Sequence, residues 1–418
     1  MRENEPLAVK SLRFLFIPES LLPKYSPLEF RAKVLWKKKG DAIKSSFNLL
    51  HVLTLNGRNG EYGGPVRVAR EISKEFSKRG YEVQIFSGAI LGSEPTSDSS
   101  SIESFVLVKP IVKALPVSSL WSFNVIPLLW KKIHESEIIH IHFARDLIPI
   151  TAAIICLFQR KPYVAQTHGM IVSDSRLSTR FIDSIFTKPL LNRSEITLVL
   201  TEIEFAQLEE VKIASKFEIL PNGIDVKPVY QHQNNHEVKK IVFCSRLQKR
   251  KGIDKFIALA EHFESFSSEY IFEIYGPDGG ELQVTLETIR TKNLKNILYK
   301  GSLSPEEVSV VLKESDLLVL PSKDEPFPMI VLESLSVGTP VLVMPSCGLA
   351  NDLRRYAAEC VAADESLDGL ISGIEALKNR TRFNKEVGEL IRFCENTFGI
   401  SKVADRLEAI YRKAEKDG

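Results

Sequence analysis

The chain has 418 residues, 44% of them hydrophobic and 26% charged, and a formal net charge of +2. That length exceeds one ordinary core, so two domains are expected, and the composition excludes a disordered or fibrous chain. Five cysteines, odd in number and scattered from Cys156 to Cys394, argue against a disulfide framework or zinc site and point to reduced thiols.

The opening residues Met1-Arg2-Glu3-Asn4-Glu5 are charged, and no apolar run of signal-peptide length follows before Lys10. Leu147 to Phe158, the longest nearly unbroken apolar run, is too short to span a bilayer. These features predict a cytoplasmic chain. Charge is uneven, because residues 1–50 hold ten Lys and Arg against five Asp and Glu. Residues 1–46 read as a basic extension in which Arg31, Lys33, Lys37, Lys38, Lys39 and Lys44 interleave with Phe30, Leu35 and Trp36. Two readings stay open: a peripheral contact with anionic lipid at the inner face of the membrane, and a solvated tether.

From Phe47 the text alternates strand and helix. Asn48–Leu53 is a first strand, followed by the glycine-rich loop Asn56–Pro65 and a helix with Val66, Ala69, Ile72 and Phe76 on one face. Gly63 and Gly64 serve either a tight turn or a close approach to a ligand, and the two uses are compatible. Tyr81–Phe86 is the second strand, and Ser93–Ser104 reads as a surface loop. Two later strands, Glu137–Phe143 and Tyr163–Gly169, carry histidines near their ends. His168, before Gly169 at a strand terminus, is expected to face a ligand crevice, whereas His140 and His142 are expected to be buried and hydrogen-bonded. The segment Phe181–Phe186, with Lys188 and Arg193, reads as a packed helix, with a lipid-facing helix as the alternative.

Strands at Glu195–Thr201 and Phe217–Leu220 close a domain over residues 47–222, and the turn Pro221-Asn222-Gly223-Ile224-Asp225 marks its end. A second domain over 223–400 restarts with the strand Lys240–Cys244 and the loop Ser245–Gly252, where Arg246 and Lys251 flank a strand-to-helix turn suited to a diphosphate. Ile271–Tyr275, Ile297–Gly301 and Leu317–Leu320 are further strands. Residues 401–418 form a last helix expected to reach back to the first domain. The fold class is therefore α/β, with two Rossmann-like, doubly wound domains facing across a crevice.

The stretch Asp324–Val343 organises the second domain. Pro328 suits a first helical position and Gly338 the position past the last turn, so a helix is expected from Pro328 to Val337, between buried strands. Glu325 then lies in the preceding loop and Glu333 within the helix. Between them the free amides of Phe327, Met329 and Ile330 sit at the positive helix end, which binds phosphate. A carboxylate accepts two adjacent hydrogen bonds, which matches a vicinal diol. One stretch can thus hold the sugar, phosphate and ribose of one ligand.

Gly63-Gly64, His168, Pro221–Asp225, Arg246 with Lys251-Gly252, and the pair Glu325 and Glu333 together resemble the GT-B-fold retaining glycosyltransferases of family GT4, over roughly Asn48 to Asp417. The resemblance implies that Arg246 and Lys251 hold the donor diphosphate. It gives Glu325 the transferred sugar's hydroxyls, Glu333 the ribose and His168 the face of the donor sugar. Gly64 would lie near the diphosphate and acceptor. It implies transfer from a nucleotide sugar, UDP ahead of GDP or ADP, to a hydroxyl of a glycan or lipid-linked glycan in envelope or polysaccharide assembly. No cofactor is required, and no Asp-x-Asp metal site is present, since Asp316 and Asp324 lack a suitably spaced partner. Met344–Asp352 departs from the family, replacing its common double-glycine text. Two other functions use the same fold: a nucleotide-sugar epimerase, and a non-catalytic binder of nucleotide sugars or polysaccharide. Nucleic acid is excluded, because basic residues are not interleaved with aromatics through either domain.

Overall fold

The computed structural model describes residues 47–57, 64–94, 102–112, 118–225, 238–266, 269–378 and 380–417. The basic extension 1–46, Gly63 with its loop neighbours 58–62, and most of the linker following Asp225 lie outside the described residues.

Two parallel sheets form the frame. In chain order the strands are β1 (Asn48–Leu55), β2 (Glu82–Ala89), β3 (Glu103–Leu107), β4 (Lys109–Pro110), β5 (Leu120–Trp121), β6 (Ile138–His142), β7 (Tyr163–Gln166), β8 (Ile196–Val199) and β9 (Phe217–Ile219). After the linker come β10 (Lys240–Cys244), β11 (Ile271–Tyr275), β12 (Ile297–Gly301), β13 (Leu317–Leu320) and β14 (Val341–Val343). The first sheet runs β3-β2-β1-β6-β7-β8-β9 and the second β12-β11-β10-β13-β14, while β4 and β5 pair antiparallel by themselves. All five residues of β6 and all four of β7, β8 and β13 are buried. Helices cover both faces of such sheets, which is why these strands read as near-continuous apolar runs. Strand order reverses at β1/β6 and at β10/β13. Crevices open at such reversals, beyond the carboxyl ends of the strands.

The last helix, Ile400–Asp417, packs on the first sheet's side of the molecule. Its Val403, Ala404, Leu407, Ile410, Tyr411 and Ala414 recur at helical spacing and join Phe47, Ile72, Phe76 and Tyr81 in one core cluster. Glu408 accepts from the Tyr81 hydroxyl at 2.5 Å, and Arg412 donates to the same hydroxyl at 2.7 Å. The expected packed helix near Phe181 spans Leu177–Ile182 and continues as a π turn over Asp183–Thr187. Only one side of it packs: Arg145 holds buried Asp183 at 2.7 Å, while Leu177, Phe181 and Ile185 stand 80%, 64% and 46% exposed. Among the described residues no helix is long and apolar enough to cross a membrane.

Candidate active site

The second sheet contributes a charged wall. Adjacent strands β10 and β13 flank the reversal, and the loops after them meet at Lys251 and Glu325. Lys251 donates to Glu325 Oε2 at 2.5 Å, and Arg250 approaches the same oxygen at 3.3 Å. Burial lowers the lysine's pKa, and the glutamate opposes that shift. Arg246 is half-buried and close enough to add to the downward pressure on Lys251. Gly252 makes this approach feasible: its φ is +72°, and a Cβ there would sit 2.1 Å from the Pro321 carbonyl oxygen.

The clamp helix spans Met329–Ser336, with Pro328 as its N-cap in extended conformation. It starts one residue later than expected because Pro328 adopts ψ of 99°, outside the helical region. Gly338 ends it with φ of +83°. Glu325 precedes this helix and Glu333 lies in its second turn, both largely buried. The loop that departs from the family text supports the clamp from behind. Gly348 donates its amide to the Glu325 carbonyl at 2.8 Å, and Ser346 Oγ accepts from the Asp324 amide at 3.1 Å.

The first sheet contributes a neutral wall. His51 on β1 is in register with His140 on β6, and His142 lies two residues further along the same face. His51 Nδ1 lies 3.0 Å from His142 Nε2, and His142 Nδ1 lies 2.7 Å from His168 Nε2. His140 Nδ1 faces the Tyr411 hydroxyl at 2.5 Å. Desolvation lowers all four imidazoles, His140 and His168 to about 3, so all are neutral near pH 7. Among the described residues His51, His140 and His142 are the one group close enough to suggest a metal, with nitrogens within 4.8 Å of one another. His142 already uses both of its nitrogens in hydrogen bonds, to His51 and His168, and His140 turns its Nδ1 to Tyr411, so the trio does not fit an ion as it stands.

β7 stops at Gln166 because the backbone reverses at His168, with φ of +52°, and Gly169, with φ of +70°. Glu204 stabilises that reversal: its buried carboxylate accepts from the Thr167 hydroxyl at 2.5 Å, from the Leu200 amide at 2.6 Å and from the Gly169 amide. Non-glycine residues in the left-handed region cost free energy and persist where surrounding contacts determine them. His168 and Asp324, at +52° and +49°, occupy that region on opposite walls.

The walls touch. A Cβ on Gly169 would lie 2.8 Å from the Pro326 ring, so the His168 loop abuts the clamp loop. Arg67, on the helix Gly64–Lys78 that follows the glycine loop, donates to Glu333 at 2.5 Å. Burial raises the Glu333 pKa, and Arg67 opposes that shift.

Of the residues expected from the sequence, the structure joins Lys251 to Glu325, puts Arg246 near Lys251, carries Glu333 on the clamp helix that follows Glu325, and sets the loop of His168 against Pro326. Glu333, however, faces Arg67 of the other wall. Gly64 opens its helix in free space, where an added Cβ would meet nothing within 4 Å. Arg67, Arg250, Glu204 and His51 were not singled out from the sequence. For His51 a signal existed: pairing β1 with β6 puts it on the same face as the two histidines of β6.

The sequence matches the family described as Glycosyltransferase Family 4 over residues 62–227 and that described as Glycosyl transferases group 1 over residues 229–391. An alpha-galactosylglucosyldiacylglycerol synthase of Streptococcus pneumoniae is 37% identical over 106 residues, 25% of this chain and only 28% of that relative. The lipopolysaccharide glucosyltransferase WaaG of Escherichia coli is 23% identical over 323 residues, 69% of this chain and 79% of WaaG. Among solved structures, Anabaena Alr3699/HepE in complex with UDP matches with a TM-score of 0.68 and 15% identity, covering 88% of this chain and 100% of that one.

Proposed function

Because the chain belongs to the GT4-type glycosyltransferases and has their GT-B fold, we propose that it transfers a sugar, with retention of configuration, from a nucleoside-diphosphate sugar to a hydroxyl of a glycan or lipid-linked glycan. The observation that carries this reading is the buried Lys251–Glu325 pair beside the clamp helix, at the reversal of the second sheet. Departure of a nucleoside diphosphate builds negative charge. Lys251, Arg246 and the leading amides around Phe327 to Ile330 stabilise that charge most in the transition state. A diphosphate takes over Lys251, and Glu325 turns to the hydroxyls of the transferred sugar. Glu333 exchanges Arg67 for the ribose. Arg67 is 42% exposed and reaches Glu333 from the solvent side, so a ligand diol can take its place on the buried carboxylate. His168 faces the donor sugar, and Gly64 lies near the diphosphate and acceptor.

In this reading residues 47–222 form the acceptor domain, 223–400 the donor domain, and 401–418 brace the first domain. UDP is the preferred base, since a structural neighbour is a UDP complex. Relatives named for glycolipid and lipopolysaccharide synthesis support an envelope-glycan acceptor, reached from the cytoplasmic face of the membrane. The exposed row Leu177, Phe181 and Ile185 is available for that contact.

Calorimetric titration with UDP, GDP and ADP tests the donor site. Binding of one diphosphate, lost in Lys251→Ala, is expected, and a ligand specific to the folded state also raises the melting temperature. Retention of full UDP affinity in Lys251→Ala would remove that residue from the site, and failure of all three nucleotides to bind would overturn the nucleotide-sugar reading.

A further inference from the structure

The ladder behind His168 has a direction. Each neutral imidazole carries one N–H and one lone pair, so the two ring-to-ring hydrogen bonds must run the same way through His142. In the first arrangement His168 donates through Nε2 to His142, His142 donates through Nε2 to His51 Nδ1, and the His51 proton is left on Nε2. His168 then shows a bare Nδ1 to the crevice. In the second, His51 donates through Nδ1 to His142, His142 donates through Nδ1 to His168 Nε2, and His168 carries its proton on Nδ1.

One atom decides between them. His51 Nε2 is fully buried and has no partner among the described residues. A buried donor without an acceptor is rarer in folded proteins than an under-used acceptor, so the proton belongs on Nδ1 of His51. The neighbours do not change this. His140 turns its Nδ1 to Tyr411 and lies beside Gln166, and Glu204 spends its oxygens on Thr167, Gly169 and Leu200. The far end is indifferent, because His168 Nδ1 is not among the buried unpartnered atoms and can meet water or ligand in either form.

We infer that His51 and His142 are positioning residues that fix the tautomer of His168, so that His168 presents an Nδ1–H hydrogen-bond donor to the crevice and not a basic lone pair. This deepens the proposed function and rests on His168 facing the donor sugar. A donor there serves an oxygen of the sugar nucleotide, whether a hydroxyl or an oxygen gaining charge as the bond to phosphate breaks. It cannot remove a proton from the acceptor.

The test is two-bond 1H–15N spectroscopy of the full chain labelled at its eight histidines, with the His168 signals assigned by their loss in His168→Ala. The expected result is a protonated Nδ1 on His168 at pH 7.5, and a shift toward the Nε2–H form in His142→Phe, which keeps a ring without a donor. His140→Phe, equally buried but outside the chain of hydrogen bonds, should leave the His168 tautomer unchanged. A protonated Nε2 in the wild type, or an unchanged tautomer in folded His142→Phe, overturns the inference. Release of nucleoside diphosphate from the sugar nucleotide that supports turnover supplies a second readout. His168→Asn, whose amide replaces an Nδ1–H donor, should stay within about fivefold of wild type, while His168→Ala should fall about a hundredfold. Equal loss in both would contradict the donor role. Full activity in His168→Ala would instead remove His168 from the reaction and leave the tautomer assignment standing.

Discussion

The two walls of the crevice use opposite electrostatics. Beyond β10 and β13 the chain places Arg250, Lys251 and Glu325, with both cations on one oxygen of the Glu325 carboxylate, and Glu333 in the second turn of the clamp helix. On β1 and β6 and just beyond β7 it places four imidazoles that burial keeps neutral. If the proposed function holds, fixed charge suits the side where a diphosphate would depart, because it needs no reorganisation during the reaction. Neutral polarity suits the side that meets sugar hydroxyls, where a permanent charge would favour the leaving group's oxygens over the sugar.

The largest effect should come from breaking the charged wall. Lys251→Ala and Glu325→Ala should each lower kcat/KM by about a hundredfold to a thousandfold, while the melting temperature stays near wild type. Steady-state kinetics with parallel calorimetry checks both halves, and an unfolded variant would mean that the pair serves stability instead.

The neutral wall predicts a pH effect on stability. His51, His140 and His142 titrate near 6.5 when unfolded and well below that in the fold. The unfolded state therefore binds more protons below pH 6.5, and the stability these groups contribute, complete above 6.5, falls as pH drops toward about 3. Well below 6.5 each should cost about 1.4 kcal/mol per pH unit. Urea midpoints at pH 7 and pH 5 measure the loss, and His140→Phe should flatten it. A midpoint that does not fall would show that the ladder admits water or protons.

Between the walls and the loops that carry them, Gly252→Ala should destabilise the protein by about 1–3 kcal/mol, since the added Cβ meets the Pro321 carbonyl in a left-handed backbone. Thermal denaturation reads this directly. The smallest effect belongs to the contact joining the walls. Arg67→Ala should tighten UDP binding by no more than about fivefold, because it only removes a competitor for the Glu333 carboxylate. Weaker binding in that variant would show that Arg67 also holds the nucleotide.

Much of this is legible in the sequence. The alternation of apolar runs with glycine loops marks the two sheets, and the spacing of Glu325, Pro328, Glu333 and Gly338 marks a loop, a helix and two carboxylates near its start. Arg246, Lys251 and Gly252 are legible for the same reason. Each signal sits within about ten residues of its partner in the chain, where backbone preference and side-chain period act. The helix near Phe181 reads less well. Apolar residues at helical spacing identify a face, but periodicity cannot say whether another element covers it, and here Leu177, Phe181 and Ile185 stay exposed.

By itself the sequence determined the α/β alternation, the clamp and the cationic turn, because these depend on local conformation and on which residue types tolerate it. Tertiary structure alone decided the partners. Arg67 meets Glu333 across 266 positions of chain, Tyr411 meets His140 across 271, and His51 meets His142 across 91. No local preference encodes such pairs. They exist because two reversals of strand order bring loop ends from both sheets to one crevice, and because a last helix returns to the first sheet, so that sequence-distant groups lose their water together and must satisfy one another.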